Sequence, residues 1–573
     1  MDDLGGLSAT PDRPVGSPRI VVQRLADVPD LGELAAGSAG DLVWLDSALP
    51  AGAPPAASRR AAWSVLAVSD GPFAARLRHQ DRIAHVTVSE LAARWFGPSR
   101  TEDRPAFAVL DDLLHATPTL DEPVPGCAFA LGWVGFLGYE LGREVDGPDR
   151  TADGHADADL RFVDRAVLVH ADGPAWAITM VDDDAPTASR ANRAWLAEVR
   201  ASTTRDDVPA VPPGLPAGGA TDDVVVAGRV PAASAVPVAD GRVREARGRV
   251  RRAAYELAVD ACRHEIREGN AFQVCLTTAF AVPDPEPAVL SGSSESSGSL
   301  VPSAPPSRDD DRYLAEYRRV RAGDPVPFGA YLRWGDLRIA SRSPERFLRI
   351  DADGGVLAEP IKGTRPRHPD PATDAATRAE LAGSAKDRAE NVMIVDLLRN
   401  DLLRTARPGT VHVERLCEVE SYASVHQLVS TVAGVLPAGA RRALVVRAAF
   451  PPGSMTGAPK RSATAIADRL EGAPRGVYSG VIGYFSASGA VDLSVAIRTL
   501  VTVLRPDGSV RRRSLGAGGA VTWSSTAADE ADEVETKTRS VLGGVGAAAH
   551  WQSDPPELSN ACSTGCPPDV GAG

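Results

Sequence analysis

The chain has 573 residues, of which 43% are hydrophobic and 24% charged, proportions that are ordinary for a globular protein. Its 75 acidic and 62 basic residues give a net charge of −13, which disfavours nucleic acid and anionic membranes as partners. The first residues lack a cationic and apolar leader, and no later run is apolar enough to span a membrane, so we expect a cytoplasmic protein.

The first half of the chain is predicted to be rich in short strands. Residues 1–18 have the composition of a disordered terminus, and 19–201 are interpreted as an N-terminal lobe of sheet with few helices. Strand-like runs at 41–45, 63–67 and 166–170 alternate with proline and glycine turns. Residues 202–252 begin rich in Pro, Ala, Gly and Asp and end rich in arginine, and we interpret them as a linker.

The second half, 253–545, alternates amphipathic helices with strands and is predicted to hold the chemistry. Helices are predicted at 255–268 and 385–403, and strands at 272–281, 329–332 and 355–359. A Ser-rich stretch at 291–311 cannot bury apolar area, so we expect a flexible insertion.

Residues 546–573 are predicted to be a disordered tail. It contains Cys562 and Cys566, which lack further metal ligands nearby. All six cysteines are interpreted as reduced thiols because their scattered spacing suggests no disulfide framework.

The octapeptide 360–367, PIKGTRPR, is the most distinctive segment and follows the predicted strand 355–359. Its prolines fix φ on both sides of Lys362, and Gly363 permits close approach of the backbone, so we expect a turn that faces a substrate. Desolvation makes a lysine amine a competent nucleophile. From the octapeptide alone, a structural turn with an exposed lysine is the alternative interpretation.

Two predicted helices each carry a pair of carboxylates three residues apart. Asp387 and Glu390 share one face of helix 385–403, and Asp532 and Glu535 share one face of a helix near the C-terminus. Singly, each pair is typical of a solvated helix face. Together, two such pairs can bracket Mg²⁺ with oxygen ligands and leave room for a substrate carboxylate.

Three further features suit anionic ligands. Arg498 ends an otherwise apolar strand, where it pairs either with a ligand carboxylate or with a structural Asp or Glu. Residues 516–520 are small, and their N–H groups form either an anion-binding nest or a flexible turn. Tyr478 lies in the sequence between the predicted helix 385–403 and the small residues 516–520.

In this order, the segments resemble the chorismate-utilising enzymes, which include the anthranilate, aminodeoxychorismate, isochorismate and salicylate synthases. The likeness runs through SPERF at 343–347, PIKGTRPR at 360–367, KDRAENVMIVDLLRND at 386–401 and PGSMTGAPK at 452–460. A weaker likeness covers WLDS at 44–47 and GWVGFLGYE at 132–140. The resemblance implies an α+β fold, with large antiparallel sheets packed as a sandwich and helices on the outside.

Position 362 divides this family. Anthranilate synthases carry alanine there, whereas this chain is similar to the aminodeoxychorismate synthase branch, component I, which carries lysine. Isochorismate and salicylate synthases place a general-base lysine where this chain has Gln273. The resemblance thus implies that chorismate and ammonia become 4-amino-4-deoxychorismate, for para-aminobenzoate and folate or for a specialised metabolite.

The resemblance also implies roles for individual residues. Lys362 attacks C2 of chorismate while the C4 hydroxyl leaves, protonated by Glu345, and ammonia then adds at C4 and expels the lysine. His426 matches a family histidine near the ring and is either a proton-transfer group or a satisfied core histidine. The expected Mg²⁺ ligands are Glu390 and Glu535, supported by Asp387 and Asp532. The expected substrate contacts are Gly363, Thr364, Tyr478, Arg498, Gly518, Gly519 and Gln273.

The chain departs from the family pattern near Glu535. The connection that leads to this residue is two residues longer than usual, and Arg539 stands where the family has a lysine. In the first lobe, Ser47 with Pro327 and Phe328 resembles a pocket in which relatives hold tryptophan.

Ammonia is expected from a separate glutamine amidotransferase subunit in a heterodimer, because no cysteine lies in a nucleophile elbow. Two alternatives stay open. The first alternative is an anthranilate synthase component I, against which Lys362 argues. The second is a non-catalytic chorismate-binding regulatory protein.

Overall fold

A computed structural model describes residues 18–38, 40–47, 60–146, 156–203, 243–285, 312–323, 325–422 and 425–553. The expectations for 1–17, for the insertion 291–311, for most of the linker and for the tail with Cys562 and Cys566 lie outside these residues.

The strands are β1 (Arg19–Arg24), β2 (Leu42–Asp46), β3 (Trp63–Val68), β4 (Ala75–Gln80), β5 (Ile83–Val88), β6 (Arg100–Asp103), β7 (Gly132–Leu137), β8 (Ala158–Val163), β9 (Arg165–His170), β10 (Ala175–Val181), β11 (Arg244–Gly248), β12 (Gln273–Ala281), β13 (Phe328–Trp334), β14 (Leu337–Ser343), β15 (Arg346–Ile350), β16 (Gly355–Glu359), β17 (Ile361–Pro366), β18 (His412–Ser421), β19 (Val425–Val435), β20 (Gly457–Ala458), β21 (Val481–Ser486), β22 (Val491–Val495), β23 (Thr499–Leu504), β24 (Val510–Val521) and β25 (Ala547–His550). The helices are α1 (Leu31–Gly37), α2 (Ala93–Phe96), α3 (Ala106–Ala116), α4 (Arg143–Asp146), α5 (Pro186–Thr203), α6 (Arg252–Arg267), α7 (Arg312–Gly323), α8 (Pro371–Gly383), α9 (Ala385–Leu403), α10 (Arg442–Ala449), α11 (Lys460–Glu471) and α12 (Ala527–Gly544).

Two large sheets organise the described residues. The first runs in the order β1-β10-β9-β3-β2-β13-β14-β23-β24-β12-β11-β25, with β20 beside β12. The second runs β17-β19-β16-β15-β22-β21-β7-β8-β4-β5-β6, with β18 beside β19. Strands from both halves of the chain share each sheet, because β2 pairs with β13 and β7 pairs with β21. The two predicted regions are therefore joined through both sheets.

The main core lies between the sheets, where one apolar cluster contains residues of both. Phe136 of β7 stacks on Trp334 of β13 across the interface, with 6.2 Å between ring centroids. Outside the first sheet, α6 and α12 bury Val259 and Val534 in a second cluster. Among the described pairs only β11 and β25 run parallel, so the predicted α+β sandwich of antiparallel sheets is confirmed.

The pattern of side chains explains the best-predicted elements. β23, Thr-Leu-Val-Thr-Val-Leu, is rich in β-branched residues and nearly continuous in burial, as expected for a central strand. Strand 355–359 and helix 385–403 have the predicted bounds. Within α9, however, Val392 is 44% exposed, whereas Ile394, Val395, Leu398 and Leu402 are buried as predicted.

Four segments differ from the expectations. The end of the predicted linker 202–252 forms strand β11. PIKGTRPR forms strand β17 where a turn was predicted, and residues 516–520 belong to strand β24 where a nest or flexible turn was predicted. Residues 547–550 were assigned to a disordered tail but form β25 beside β11. Trp551 then packs on Tyr255 and Phe280, which ties the end of the described chain to the second cluster.

Within the described segments, no helix combines the length and the apolar character that crossing a bilayer requires.

A substitution at Gly135 can test the close packing around β7. Gly135 is the register partner of Gly483, and a Cβ at Gly135 would lie 2.1 Å from the carbonyl oxygen of Asp159 and 2.9 Å from the Trp334 ring. Because backbone cannot move aside cheaply, we expect Gly135→Ala to lower the free energy of unfolding by more than about 3 kcal/mol. The control Gly37→Ala meets nothing within 4 Å and ends a helix, so its urea midpoint should match or exceed the wild type. Equal midpoints for both variants would contradict this packing.

Candidate active site

Lys362 lies on β17, which follows β16 along the same side of β19. The register shifts between Ile361 and Thr364, so Lys362 and Gly363 form an irregularity in the strand. Gly363 has a φ of +82°, and a Cβ there would lie 2.9 Å from the Cβ of Asp387 on α9. Glycine at this position lets the helix approach the strand directly beside Lys362.

Glu345 is buried in the connection between β14 and β15, within electrostatic reach of Lys362 and Lys537. Burial raises the pKa of its carboxyl to about 7, although a hydrogen bond from Ser454 and the two lysines oppose the shift. A carboxyl of this pKa exchanges protons near neutral pH, which suits a general acid or base.

Helix α9 presents the first predicted carboxylate pair. Ser384 caps the helix by accepting from the N–H of Asp387, and the Asp387 carboxylate accepts from Ser384 Oγ at 2.6 Å and from Arg365 Nη2 at 2.8 Å. One turn later, burial raises the pKa of Glu390, and the Lys362 ammonium opposes that rise. Glu390 therefore faces Lys362, while Asp387 is held by Arg365.

Helix α12 presents Glu530, Glu533 and Lys537 along one face. Glu530 is buried; its Oε1 accepts from Ser525 at 2.7 Å, and its Oε2 has no hydrogen-bond partner among the described groups. The side chain of Glu533 is 46% exposed; partial desolvation opposes its ionisation, but Lys537, at 2.6 Å, outweighs that effect and lowers the pKa of Glu533. Lys537 also donates to the carbonyl of Gly518 at 2.8 Å, and Glu533 interacts in turn with Lys362.

The prediction that Glu535 and Asp532 complete this site is corrected by the structure. Both carboxylates pair with Arg252 of α6, at 3.1 Å and 2.8 Å, and Glu535 also accepts from Trp551 Nε1 at 2.6 Å. A shift of two residues rotates a side chain by about 200° around a helix. The predicted pair consequently lies on the face opposite the one shared by Glu530, Glu533 and Lys537.

A signal for the correct register was present in the sequence. If the glutamate that faces the cleft is Glu533, Lys537 takes the place of the lysine that Arg539 was thought to replace. The same shift removes the two extra residues from the preceding connection. Sequence reasoning missed Glu530, Glu533 and Lys537 because four carboxylates within six residues all offered a ligand.

The carboxylates offer oxygen donors for a hard cation. Among the described residues, no three His, Cys, Asp or Glu side chains already converge as a closed metal site. Magnesium commonly takes only one or two protein carboxylates and completes its shell with water and substrate. The orphaned Oε2 of Glu530 and the neighbouring Glu390 and Glu533 fit that open arrangement.

Glycines of β24 shape the floor of the cleft. A Cβ at Gly516 would lie 2.3 Å from the ring of Tyr478, and one at Gly519 would lie 2.2 Å from Oε2 of Glu530. Gly518 pairs closely with β12, where a Cβ would lie 2.4 Å from the carbonyl of Leu276. β23 pairs with β24 only as far as Leu515, so the glycine segment extends beyond that strand. Gly516 and Gly519 therefore leave room for the side chains of Tyr478 and Glu530, and the segment is not a flexible nest.

The other predicted substrate contacts are dispersed. Arg498 lies between β22 and β23 with a φ of +50°, and its carbonyl accepts from the N–H of Arg342. Thr364 is exposed on β17. Gln273 begins β12 and is fully buried, and neither atom of its amide has a hydrogen-bond partner among the described groups. Such an orphaned amide marks a place where water or a ligand compensates the loss of hydration.

His426 is buried in a closed chain of hydrogen bonds. Its Nδ1 lies 2.7 Å from Ser421 Oγ, and its Nε2 lies 3.1 Å from Asp374 of α8. Asp374 also binds Arg367, at the end of the PIKGTRPR segment. Both ring nitrogens therefore have partners within the protein, an arrangement that fits a satisfied core histidine and a proton-transfer group alike.

Ser47, Pro327 and Phe328 are brought together around a cavity of about 130 Å³ between the sheets. Ser47 Oγ donates to the carbonyl of Pro327 at 3.3 Å. Arg60 and Arg346 also line this cavity, and the Arg346 guanidinium lies 5.0 Å from the centre of the Phe328 ring.

The family model that matches this chain describes a chorismate binding enzyme and covers residues 74–291 and 303–543. An aminodeoxychorismate synthase of Streptomyces pristinaespiralis is 38% identical over 92% of this chain and 65% of its own length. The aminodeoxychorismate synthase component 1 of Salmonella typhimurium is 33% identical over 77% of this chain and 84% of its own length. The chain thus spans less than two thirds of the Streptomyces relative.

The fold is similar to that of anthranilate synthase component I from Streptococcus pneumoniae. The TM-score is 0.60 at 23% identity, over 86% of this chain and 94% of that one.

The corrected register of α12 predicts which glutamate binds a divalent cation. We expect Glu533→Gln to weaken Mg²⁺ binding by at least about tenfold, because it removes a charged oxygen ligand. Glu535→Gln, its matched control two residues away, should bind Mg²⁺ as the wild type does. Isothermal titration calorimetry of the purified variants measures both affinities, and a loss confined to Glu535→Gln would restore the original register.

Proposed function

The chain belongs to the chorismate binding enzymes, and from that membership we propose that it replaces the C4 hydroxyl of chorismate with an amino group, as aminodeoxychorismate synthase component I. The observation that carries the proposal is the placement of Lys362 in the irregularity of β17, within electrostatic reach of the buried carboxyl of Glu345. A nucleophile and a proton donor then share one cleft.

In the first step the Lys362 amine attacks C2 of chorismate, and the ring double bond shifts as the C4 hydroxyl departs. Glu345 donates the proton that lets the hydroxyl leave as water. Transfer of one proton from the lysine ammonium to the glutamate generates both reactive forms together. In the second step ammonia adds at C4, the double bond shifts back and the lysine leaves C2.

Glu390, Glu530 and Glu533 form the candidate Mg²⁺ site, which replaces the predicted set built on Glu535. When bound, Mg²⁺ neutralises the ring carboxylate of chorismate and fixes its position. Lys537 holds Glu533 and the Gly518 carbonyl in place, so this side of the cleft keeps its shape. Tyr478 and Arg498 stay candidates for the remaining polar groups of the substrate.

The lysine distinguishes this activity from that of an anthranilate synthase component I. Direct addition of ammonia at C2 leads toward anthranilate and needs no enzyme nucleophile. Two successive displacements, with lysine first at C2, bring nitrogen to C4. A lysine that faces Glu345 and Glu390 supports the second course.

Ammonia is proposed to come from a separate glutaminase subunit. The four cysteines in the described residues are buried and free, and burial raises the pKa of the Cys127 and Cys262 thiols to about 12. Such thiols are poor nucleophiles. The Salmonella relative is named component 1, which supports a second component. Free thiols also agree with the expected cytoplasmic location.

The cavity at Ser47 and Phe328 is proposed to hold an amino acid such as tryptophan. Its lining combines apolar surface with charged groups, including Arg346 and Asp492. A zwitterion with a large side chain matches that combination.

The reaction is tested by incubating the purified chain with chorismate, Mg²⁺ and ammonium at mildly alkaline pH. We expect 4-amino-4-deoxychorismate, identified by mass and by conversion with its lyase, and anthranilate as the main product would overturn the proposal. Lys362→Ala should lower C4 amination by at least about a thousandfold with the fold retained. The control Lys386→Ala removes an exposed lysine near the same carboxylates, so nitrogen should still reach C4.

The carboxyl of Glu345 predicts the pH dependence. The first step needs one proton shared between Lys362 and Glu345, and below the pKa of about 7 the pair holds one proton too many. The rate constant for adduct formation should therefore rise with pH through about 7 and then level off. Rapid-quench mass spectrometry from pH 5.5 to 9 measures it. Glu345→Gln should be slow at every pH, and an unchanged rise in this variant would exclude Glu345 as its source.

A further inference from the structure

Glu359 ends β16 three residues before Lys362 and is buried at the junction between the sheets. Its carboxylate accepts from two arginines, one on each oxygen. Arg60 Nη1 donates to Oε1 at 3.0 Å, and Arg346 Nη1 donates to Oε2 at 2.6 Å. A buried carboxylate bound in this way has little freedom to move.

Both arginines are themselves anchored. Arg346 binds Asp492 of β22 through two parallel hydrogen bonds, of 2.9 and 3.0 Å. Arg60 contacts Glu420 and donates to the hydroxyl of Tyr422 at 2.8 Å. Removing one partner of such a network would leave a buried charge uncompensated. We therefore expect the guanidinium and carboxylate groups to keep their positions.

The backbone between Glu359 and Lys362 has little conformational freedom. Pro360 has a restricted φ, and its carbonyl accepts from the N–H of Ser430 on β19. Ile361 pairs with Val429, after which the register breaks. Lys362 therefore follows a fixed segment and lies in the irregularity itself, where no regular ladder sets the direction of its side chain.

Beyond Lys362 the strand is anchored a second time. Arg365 donates to Glu380 of α8 and to Asp387 of α9. Glu380 and Arg365 are partly solvated, so this outer anchor is weaker than the buried one.

Resting on the proposed function, we propose that Glu359 is a positioning residue for Lys362. Clamped by Arg60 and Arg346, it fixes the start of β17 so that the lysine amine reaches C2 of chorismate beside Glu345. Glu359 touches neither substrate nor cation in this assignment, so it should act on the chemical step and leave binding of chorismate nearly unchanged.

The test compares Glu359→Asp and Glu359→Gln with Glu418→Gln, which removes an exposed carboxylate from an ion pair of β18. Glu359→Asp keeps the charge but withdraws it by one methylene. We expect its kcat and the rate of the Lys362 adduct to fall at least about tenfold, with KM for chorismate within threefold of the wild type. Glu359→Gln should be slower still, and Glu418→Gln should match the wild type.

Circular dichroism melts identify any variant that fails to fold, and Glu359→Asp keeps the test valid if Glu359→Gln does not. A folded Glu359→Asp with unchanged kcat and adduct rate overturns the positioning role, as does a rise in KM without a fall in kcat. The proposed function fails separately, if the wild type forms no C4 amine in the same assay.

Discussion

Mutual repulsion among the carboxylates of the candidate site is the constraint that its neighbouring cations must balance. Glu390 reaches the cleft from α9, and Glu530 and Glu533 reach it from α12. Burial raises the pKa of Glu530, and the charge of Glu533 raises it further. A lysine from each of three elements offsets this repulsion, namely Lys362 of β17, Lys386 of α9 and Lys537 of α12. Lys362, the proposed nucleophile, is thus also part of the charge balance of these carboxylates.

Much of the fold could be predicted from the sequence because burial imposes a period on the side chains. Strand 355–359 and helix 385–403 were placed with the observed bounds. The octapeptide was mistaken for a turn because Pro366 and Gly363 usually interrupt strands. Among the described strands β17 pairs with β19 alone, so the proline is tolerated at an edge, and Gly363 accommodates the irregularity. The end of the described chain shows the opposite limit, since the pairing of β25 with β11 and the packing of Trp551 on Tyr255 reveal an ordered end beyond 545.

The sequence predicted the residue types of the candidate site better than the helix face on which some of them lie. Lys362, Glu345 and Glu390 were singled out, and the structure brings them together. The face of α12 was chosen wrongly because several neighbouring carboxylates offered a ligand, although Lys537, four residues after Glu533, marked the correct register. Long-range partners were also out of reach, since Arg60 meets Glu359 across 299 residues of chain. For His426, the partners of its two ring nitrogens, Ser421 and Asp374, are seen only in the structure.

Arg60 and Arg346 line the cavity beside Ser47 and also bind Glu359, at the end of the strand that leads to Lys362. A molecule bound in the cavity would compete with Glu359 for the same guanidinium groups. Its occupancy would be felt as a change in turnover number at constant substrate affinity, which is control of the V type. Such control persists when substrate is saturating, so the cell could not override it by accumulating more substrate.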